Sequence, residues 1–242
     1  MKSNDTVRAD VRKQYAAIAR AGRSCCDTSC CSEPSLADMG YRTDEIAGLP
    51  DGMLAGLGCG SPVGLAALAS GETVVDLGSG GGLDALLASR AVGPSGRVIG
   101  VDMTPEMLER ARTAAAKAGL RNVEFRQGLI EALPIADASV DAIVSNCVVN
   151  LAPDKAAVFR DAFRVLKPGG RLIVSDIVAR GELPPEIRND AAQWASCVGG
   201  AIDESEYLDA IRAAGFSEVN VLEDRGPAEG PVHSITVRAD KA

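Results

Sequence analysis

An α/β fold built on a doubly wound, mostly parallel sheet is predicted by three features of this 242-residue chain. Strand and helix signals alternate from Thr73 onward, a glycine-rich turn follows directly on the first strand, and two β-rich segments near the end flank the turn-forming run GPAEGP. Parallel strands need crossover connections, and right-handed crossovers place helices on both faces of the sheet. The last two segments read as a closing antiparallel hairpin.

The chain divides near residue 60 into an N-terminal helix with a cysteine-rich lid segment (1–60) and an α/β domain (61–242). Val7, Val11, Tyr15 and Ile18 form a helical stripe behind the candidate caps Asn4 and Asp5, and the stripe stops near Gly22. The run RSCCDTSCCSEPSLADMGY has no apolar period, so residues 23–52 read as an ordered loop or lid that could not fold alone. TVVDLG is then the first strand, GLDALLASRA a helix and RVIGVD the second strand. TPEMLERARTAAAKAG is the best-marked helix, with Thr104 as N-cap, Pro105 at its first position and Gly119 beyond its end. VEFRQG, VDAIVSN and GRLIVSDIV are three further strands, with the helix DKAAVFRDAFRVL before the last of them. SEVNVLED and VHSITVRA form the hairpin.

Composition excludes several functions. Lys plus Arg total 25 against 33 Asp plus Glu, a net charge of −8, which argues against a nucleic-acid partner. No apolar run is long enough for a membrane span, and the start MKSNDTVRAD lacks a secretory stretch, so a cytoplasmic location is expected. The 7 cysteines of such a chain are expected to be reactive or ligating, and an odd number cannot pair completely. A single histidine, His233, leaves almost no material for imidazole base catalysis or His-ligated metal.

The turn Asp76-Leu77-Gly78-Ser79-Gly80-Gly81-Gly82-Leu83-Asp84 joins a strand to a helix N-terminus, where glycines let a ligand approach the main chain. Leu83 stands where a dinucleotide fingerprint would have its third glycine, so the pattern is DxGxGxG. Some of these glycines would serve a tight connection alone. Asp102, closing the second strand, adds a carboxylate placed for ribose hydroxyls and favours a ligand. These residues resemble those of the class I S-adenosylmethionine-dependent methyltransferases, a Rossmann-like fold, and the KPGG turn before the fifth strand matches as well. The resemblance implies cofactor contacts at Asp76, Gly78, Ser79, Gly80 and Gly82, at Asp102 and Met103, and at Leu129, Ile130 and Glu131. Ser145, at the end of the fourth strand, is placed with the same set.

Cys59, Cys147 and Cys197 occur singly, at spacings unlike the paired knuckles of structural zinc. A lone cysteine is usually a small buried hydrophobe. Flanking glycines at Cys59 and the polar neighbours Ser145, Asn146 and Asn150 at Cys147 weaken that reading. Converging thiols beside a methyl sulfonium suit a soft metalloid. In the loop, Cys26-x3-Cys30 also fits half a zinc knuckle.

Together GCG, SNCVVNLAPDK, ELPPEIR and WxxCxGGA resemble the arsenite methyltransferase family across nearly the whole chain. The resemblance implies methylation of trivalent arsenic held by Cys59, Cys147 and Cys197. A thiol–disulfide partner is implied near the amino terminus, at any of Cys25, Cys26, Cys30 or Cys31. Arsenite and methylated trivalent arsenicals are the implied substrates, and glutathione or thioredoxin the implied reductant. Longer relatives carry a C-terminal domain that is not expected after this hairpin. Thiolate-bound arsenic keeps a lone pair and has no proton to lose, so attack on the methyl needs no general base. Positioning is the main task. Two rivals remain: a methyltransferase for another small acceptor such as a quinone, and a non-enzymatic thiol-based metalloid or zinc binder. Trp194, three residues before Cys197, shares its helical face.

Overall fold

The computed structural model describes residues 3–21, 36–50, 58–188, 190–226 and 230–242. Cys25, Cys26, Cys30 and Cys31 lie outside the described residues. Helix α1 (Asn4–Ala21) runs where the stripe places it. Its cap is Ser3, not Asn4 or Asp5: the Ser3 carbonyl accepts from Val7 N at 3.1 Å and its hydroxyl from Thr6 N at 3.3 Å. Asp5 lies in the first turn and pairs with Arg8 at 3.1 Å on the outer surface. Of the segment read as a lid, residues 36–50 contain the short helix α2 (Thr43–Ile46) and bury Met39, Tyr41 and Leu49 against the sheet.

After α3 (Pro62–Leu65) the predicted alternation appears: β1 (Thr73–Leu77), α4 (Leu83–Val92), β2 (Arg97–Asp102), α5 (Pro105–Lys117), β3 (Val123–Gln127) and β4 (Val140–Asn146). A 3-10 turn at Val149–Leu151 leads to α6 (Lys155–Val165) and β5 (Leu166–Ala179). Three helices follow, α7 (Pro185–Arg188), α8 (Ala191–Ala195) and α9 (Glu204–Ala213), before the hairpin of β6 (Ser217–Arg225) and β7 (Val232–Asp240). Strand β5 starts earlier than the sequence suggests and takes in the KPGG turn. Leu166 pairs with Val140, and the register then shifts so that Arg171 pairs with Ala142.

The sheet order is β3-β2-β1-β4-β5-β7-β6, with the first five strands parallel and β7 antiparallel to both β5 and β6. This is the class I methyltransferase arrangement that the sequence predicts. Side-chain alternation splits each strand between two cores. Val74 and Val98 face Leu86 of α4 and Leu108 of α5, whereas Val75 and Ile99 face Phe159 of α6 and Tyr207 of α9. The order in which strands are added to the sheet reverses between the parallel strands β1 and β4, and at such a switch point the connections leave the carboxyl ends in opposite directions and open a crevice. Among the described residues no helix is long and apolar enough to cross a membrane.

Phe159 is 1% exposed and meets Tyr207 edge-on, with ring centroids 5.3 Å apart. Replacing Phe159 by Ala is expected to cost about 3–5 kcal/mol. Urea unfolding should show this as a lower midpoint at an unchanged slope.

Candidate functional site

The crevice opens to solvent and is lined by the glycine-rich turn, the ends of β2 and β4, the segment Gly128–Glu131 and helix α1. Its floor is the glycine-rich turn after β1. Gly78 and Gly80 have φ of +63° and +49°, in the left-handed region, and a Cβ on Gly78 would fall 2.2 Å from the Val148 side chain. Nothing lies within 4 Å of a Cβ placed on Gly81, so the main chain there faces open space. The turn is anchored to β2 by Asp102, whose carboxylate accepts from Gly80 N at 2.9 Å and from Thr104 N at 2.7 Å.

Three carboxylates, Asp76, Asp84 and Asp102, are buried at this crevice. Burial, reinforced by the charges of Asp84 and Asp102, pushes Asp76 well above the usual carboxylate range. Burial also raises Asp84 to about 6 and lifts Asp102, although the amides of Thr104 and Gly80 oppose the latter shift. Asp76 Oδ2 and Ser79 Oγ are buried without a hydrogen-bond partner. Orphaned acceptors among three crowded carboxylates fit a cationic ligand, and S-adenosylmethionine carries both a sulfonium and an ammonium group.

Of the sequence-predicted cofactor residues, Asp76, Gly78, Ser79, Gly80, Asp102, Met103, Leu129, Ile130 and Glu131 all line the crevice. Gly82 and Ser145 do not appear in its lining. Gly82 caps α4 at φ +93°, and a Cβ there would press on Ala111 and Phe125. Ser145 is wholly buried in β4. Sequence reasoning missed Tyr41, Asp84 and Arg8. The Tyr41 hydroxyl donates to Asp84 at 2.9 Å, and Arg8 of α1 reaches Glu131 at 3.1 Å across the crevice. For Asp84 one signal was present: an acid in the first turn of the helix that the glycines open.

The three single cysteines meet beside this crevice. They are free thiols packed in one cluster with Val11, Leu151 and Trp194. Cys147 follows β4 at φ +56° and Cys197 follows α8 at φ +65°, a conformation that costs a non-glycine residue and clusters at functional sites. The Cys197 thiol donates to the Cys147 carbonyl at 2.7 Å. Cys147 Sγ, Cys59 Sγ and a carboxylate oxygen of Asp176 lie within 4.8 Å of one another. Thiol–thiol contacts with Cys197 and Cys59, together with burial, push the Cys147 thiol well up, and burial raises Cys59.

The glycines beside Cys59 let its backbone press against the carboxyl ends of β4 and β5. A Cβ on Gly58 would lie 2.6 Å from Asn146 Nδ2, and one on Gly60 would lie 2.6 Å from Ser175 Oγ. Cys59 N donates to Asn146 Oδ1 at 3.0 Å, and Ser234 Oγ donates to the Cys59 carbonyl at 2.8 Å. Trp194 joins the cluster, but not through a shared helical face: α8 ends at Ala195 and Cys197 lies beyond it at φ +65°; Lys155 Nζ stands 5.9 Å from the Trp194 ring centroid. Burial lowers Lys155 to about 8.

Comparison with known proteins supplies a family. A methyltransferase-domain family matches residues 68–215. An arsenite methyltransferase of Halobacterium salinarum is 47% identical over 224 residues, 87% of this chain and 57% of that protein. One from Aquipseudomonas alcaligenes is 45% identical over 166 residues, 66% of this chain and 48% of that protein. The crystal structure of an arsenic(III) S-adenosylmethionine methyltransferase from Chlamydomonas reinhardtii shows 35% identity and a TM-score of 0.70 over 86% of this chain and 72% of that one. The chain thus spans about half the length of the curated relatives it matches.

The crowded carboxylates imply a pH dependence. A carboxyl raised in the folded state contributes stability in full below its unfolded value, and that contribution is lost as pH rises through the folded value. Asp84 at about 6 and Asp176 at about 7 are such groups, whereas Glu72 and Asp141 are lowered and lose their contribution as pH falls. The cofactor-free protein should therefore melt at higher temperature at about pH 5.5 than at about pH 8, and Asp84→Asn should flatten the difference in thermal scans.

Proposed function

The chain belongs to the arsenite methyltransferase family of class I S-adenosylmethionine-dependent methyltransferases, and on that footing we propose that it transfers methyl groups from S-adenosylmethionine to trivalent arsenic held by its own thiolates. The observation that carries this reading is that Cys147 belongs to two places at once. Its side chain stands in the thiol cluster with Cys59 and Cys197, and the same residue lines the crevice that holds Asp76 and Asp102.

When bound, S-adenosylmethionine supplies an electrophilic methyl group on a sulfonium. Asp76 and Asp84 contribute negative charge for its cationic groups, Asp102 contributes acceptor capacity for ribose, and Glu131, with Leu129 and Ile130, borders the adenine end. Cys59, Cys147 and Cys197 fix the arsenic, an assignment that fits soft thiolates better than any hard donor in the crevice. The left-handed backbone at Cys147 and Cys197 holds both sulfurs in place before substrate arrives, and such preorganisation is what a positioning catalyst needs. Helix α1 covers the crevice through Arg8, Val11 and Tyr15, and the Tyr15 hydroxyl bonds the Ala195 carbonyl at 3.3 Å beside Cys197. One helix thereby shields both substrates from water.

Methylation raises arsenic formally from the trivalent to the pentavalent state. Two cysteine thiols that lose two electrons and two protons form a disulfide and return the arsenic to the trivalent state. Cys59 and one of Cys25, Cys26, Cys30 and Cys31 are the proposed pair, and glutathione or thioredoxin the proposed reductant that resets them.

The direct test incubates the protein with arsenite, S-adenosylmethionine and a thiol reductant, and speciates the arsenic products over time. Cys147→Ser and Cys197→Ser should each abolish methylation of every trivalent arsenical, whereas Cys59→Ser should keep activity on an already methylated one. Parent-like turnover of arsenite by either of the first two variants would refute the thiolate cradle.

Changing Cys25, Cys26, Cys30 and Cys31 to Ser together should leave cofactor binding intact by titration calorimetry. Arsenite turnover should be mostly lost, with more activity kept on a monomethylated, thiol-bound substrate. Full arsenite activity, or zinc retained stoichiometrically through these residues, would assign the segment another task.

A further inference from the structure

Asp176 plays no part in the reading above, although it stands at the thiol cluster. One of its carboxylate oxygens and the sulfurs of Cys59 and Cys147 lie within 4.8 Å of one another, and the side chain is completely buried. Its hydrogen bonds are few and defined. Oδ1 accepts from Ile177 N at 2.9 Å, and Oδ2 accepts from Asn150 N at 3.1 Å and from the Tyr207 hydroxyl at 3.3 Å. An ionised carboxylate offers about four lone-pair directions, so three donors leave one of them over. That remaining direction cannot be satisfied by bulk water.

A purely structural role explains only part of this. Asp176 ties β5 to the 3-10 turn after Cys147, but a neutral side chain could accept those bonds at lower cost than a buried carboxylate. Trivalent arsenic in water is an arsenic centre carrying three hydroxyls, and the thiols of Cys59 and Cys147 beside Asp176 can displace them. Each exchange forms one As–S bond and breaks one As–O bond. The thiol hydrogen leaves with the hydroxyl as water, and no oxidation state changes.

We propose that Asp176 is the oxygen-side contact of the arsenic site: it accepts a hydrogen bond from an arsenic-bound hydroxyl while Cys59 and Cys147 take up the metalloid. The contact assists loading of the hydroxylated form alone, since thiol-capped arsenic has no hydroxyl to offer. The inference rests on the arsenic reading of the same site.

The experiment measures the rate at which the protein captures arsenic, using rapid desalting and elemental mass spectrometry, with two probes. One is arsenite and the other is the preformed complex of arsenic with three glutathiones. Asp176→Asn should capture arsenite roughly tenfold more slowly or worse, the loss expected of one hydrogen bond to a charged group, with capture of the glutathione complex unchanged. Cofactor binding by calorimetry confirms that the variant is folded. Should it be unfolded, Tyr207→Phe removes a single donor to the carboxylate and should slow arsenite alone, by about fivefold. Equal slowing of both probes, or of neither, overturns the proposal and marks Asp176 as a structural residue. A parent protein that captures neither probe overturns the arsenic reading itself, and this inference with it.

Discussion

One side-chain amide, that of Asn146, holds the two halves of the site together. Its Nδ2 shares two hydrogens among Tyr41 Oη at 2.8 Å, the Gly60 carbonyl at 2.8 Å and Asp84 Oδ2 at 3.0 Å, while its Oδ1 accepts from Cys59 N. The residue therefore binds a carboxylate of the cofactor crevice on one side and the backbone of a thiol ligand on the other. Its neighbour in sequence is Cys147. Networks of this kind in a low-dielectric interior are strong when every member is satisfied and costly when one is lost. Asn146, with Ser234 on the Cys59 carbonyl, holds Cys59 beside Cys147, since among the described residues Cys59 belongs to no strand or helix.

The same constraint explains why a glycine is needed at position 58, where a Cβ would lie 2.6 Å from Asn146 Nδ2. At the carboxyl ends of β1 and β4, where the strand order reverses, a turn carrying Asp76, a strand end carrying Asn146 and a distant segment carrying Cys59 come together. Burying carboxylates so close to one another is unfavourable, and the raised values of Asp76, Asp84 and Asp102 record that cost. A cationic cofactor relieves it, so ligand binding and charge balance become one event.

Much of this was legible in the sequence. The alternation of strand and helix signals from Thr73 onward located every parallel strand, the turn-rich break at residues 226–231 marked the hairpin, and the DxGxGxG turn with Asp102 located the crevice. The single cysteines were informative because they stood apart in the sequence and beside polar or glycine neighbours. Less legible were contacts that exist only after folding. Tyr41 lies 43 residues from Asp84 and 105 from Asn146, and no local pattern announces their hydrogen bonds. Asp176 follows Ser175 in the run LIVSDIVA, and nothing local marks it as a neighbour of Cys59 and Cys147. The early start of β5 was hidden because KPGG has turn chemistry, while its strand pairing depends on Leu166 finding Val140. Ser3 was passed over as a cap because Asn4 and Asp5 are equally good capping residues, and only the hydrogen bonds separate them.

The central claim is that soft thiolates, not hard oxygens, form the arsenic site. X-ray absorption at the arsenic edge, recorded on the parent protein and on Cys59→Ser after arsenite loading, tests it directly. The account predicts an all-sulfur shell of three neighbours in the parent, and two sulfurs with one oxygen in the variant. A parent shell dominated by oxygen, or a sulfur shell unchanged in the variant, would contradict it.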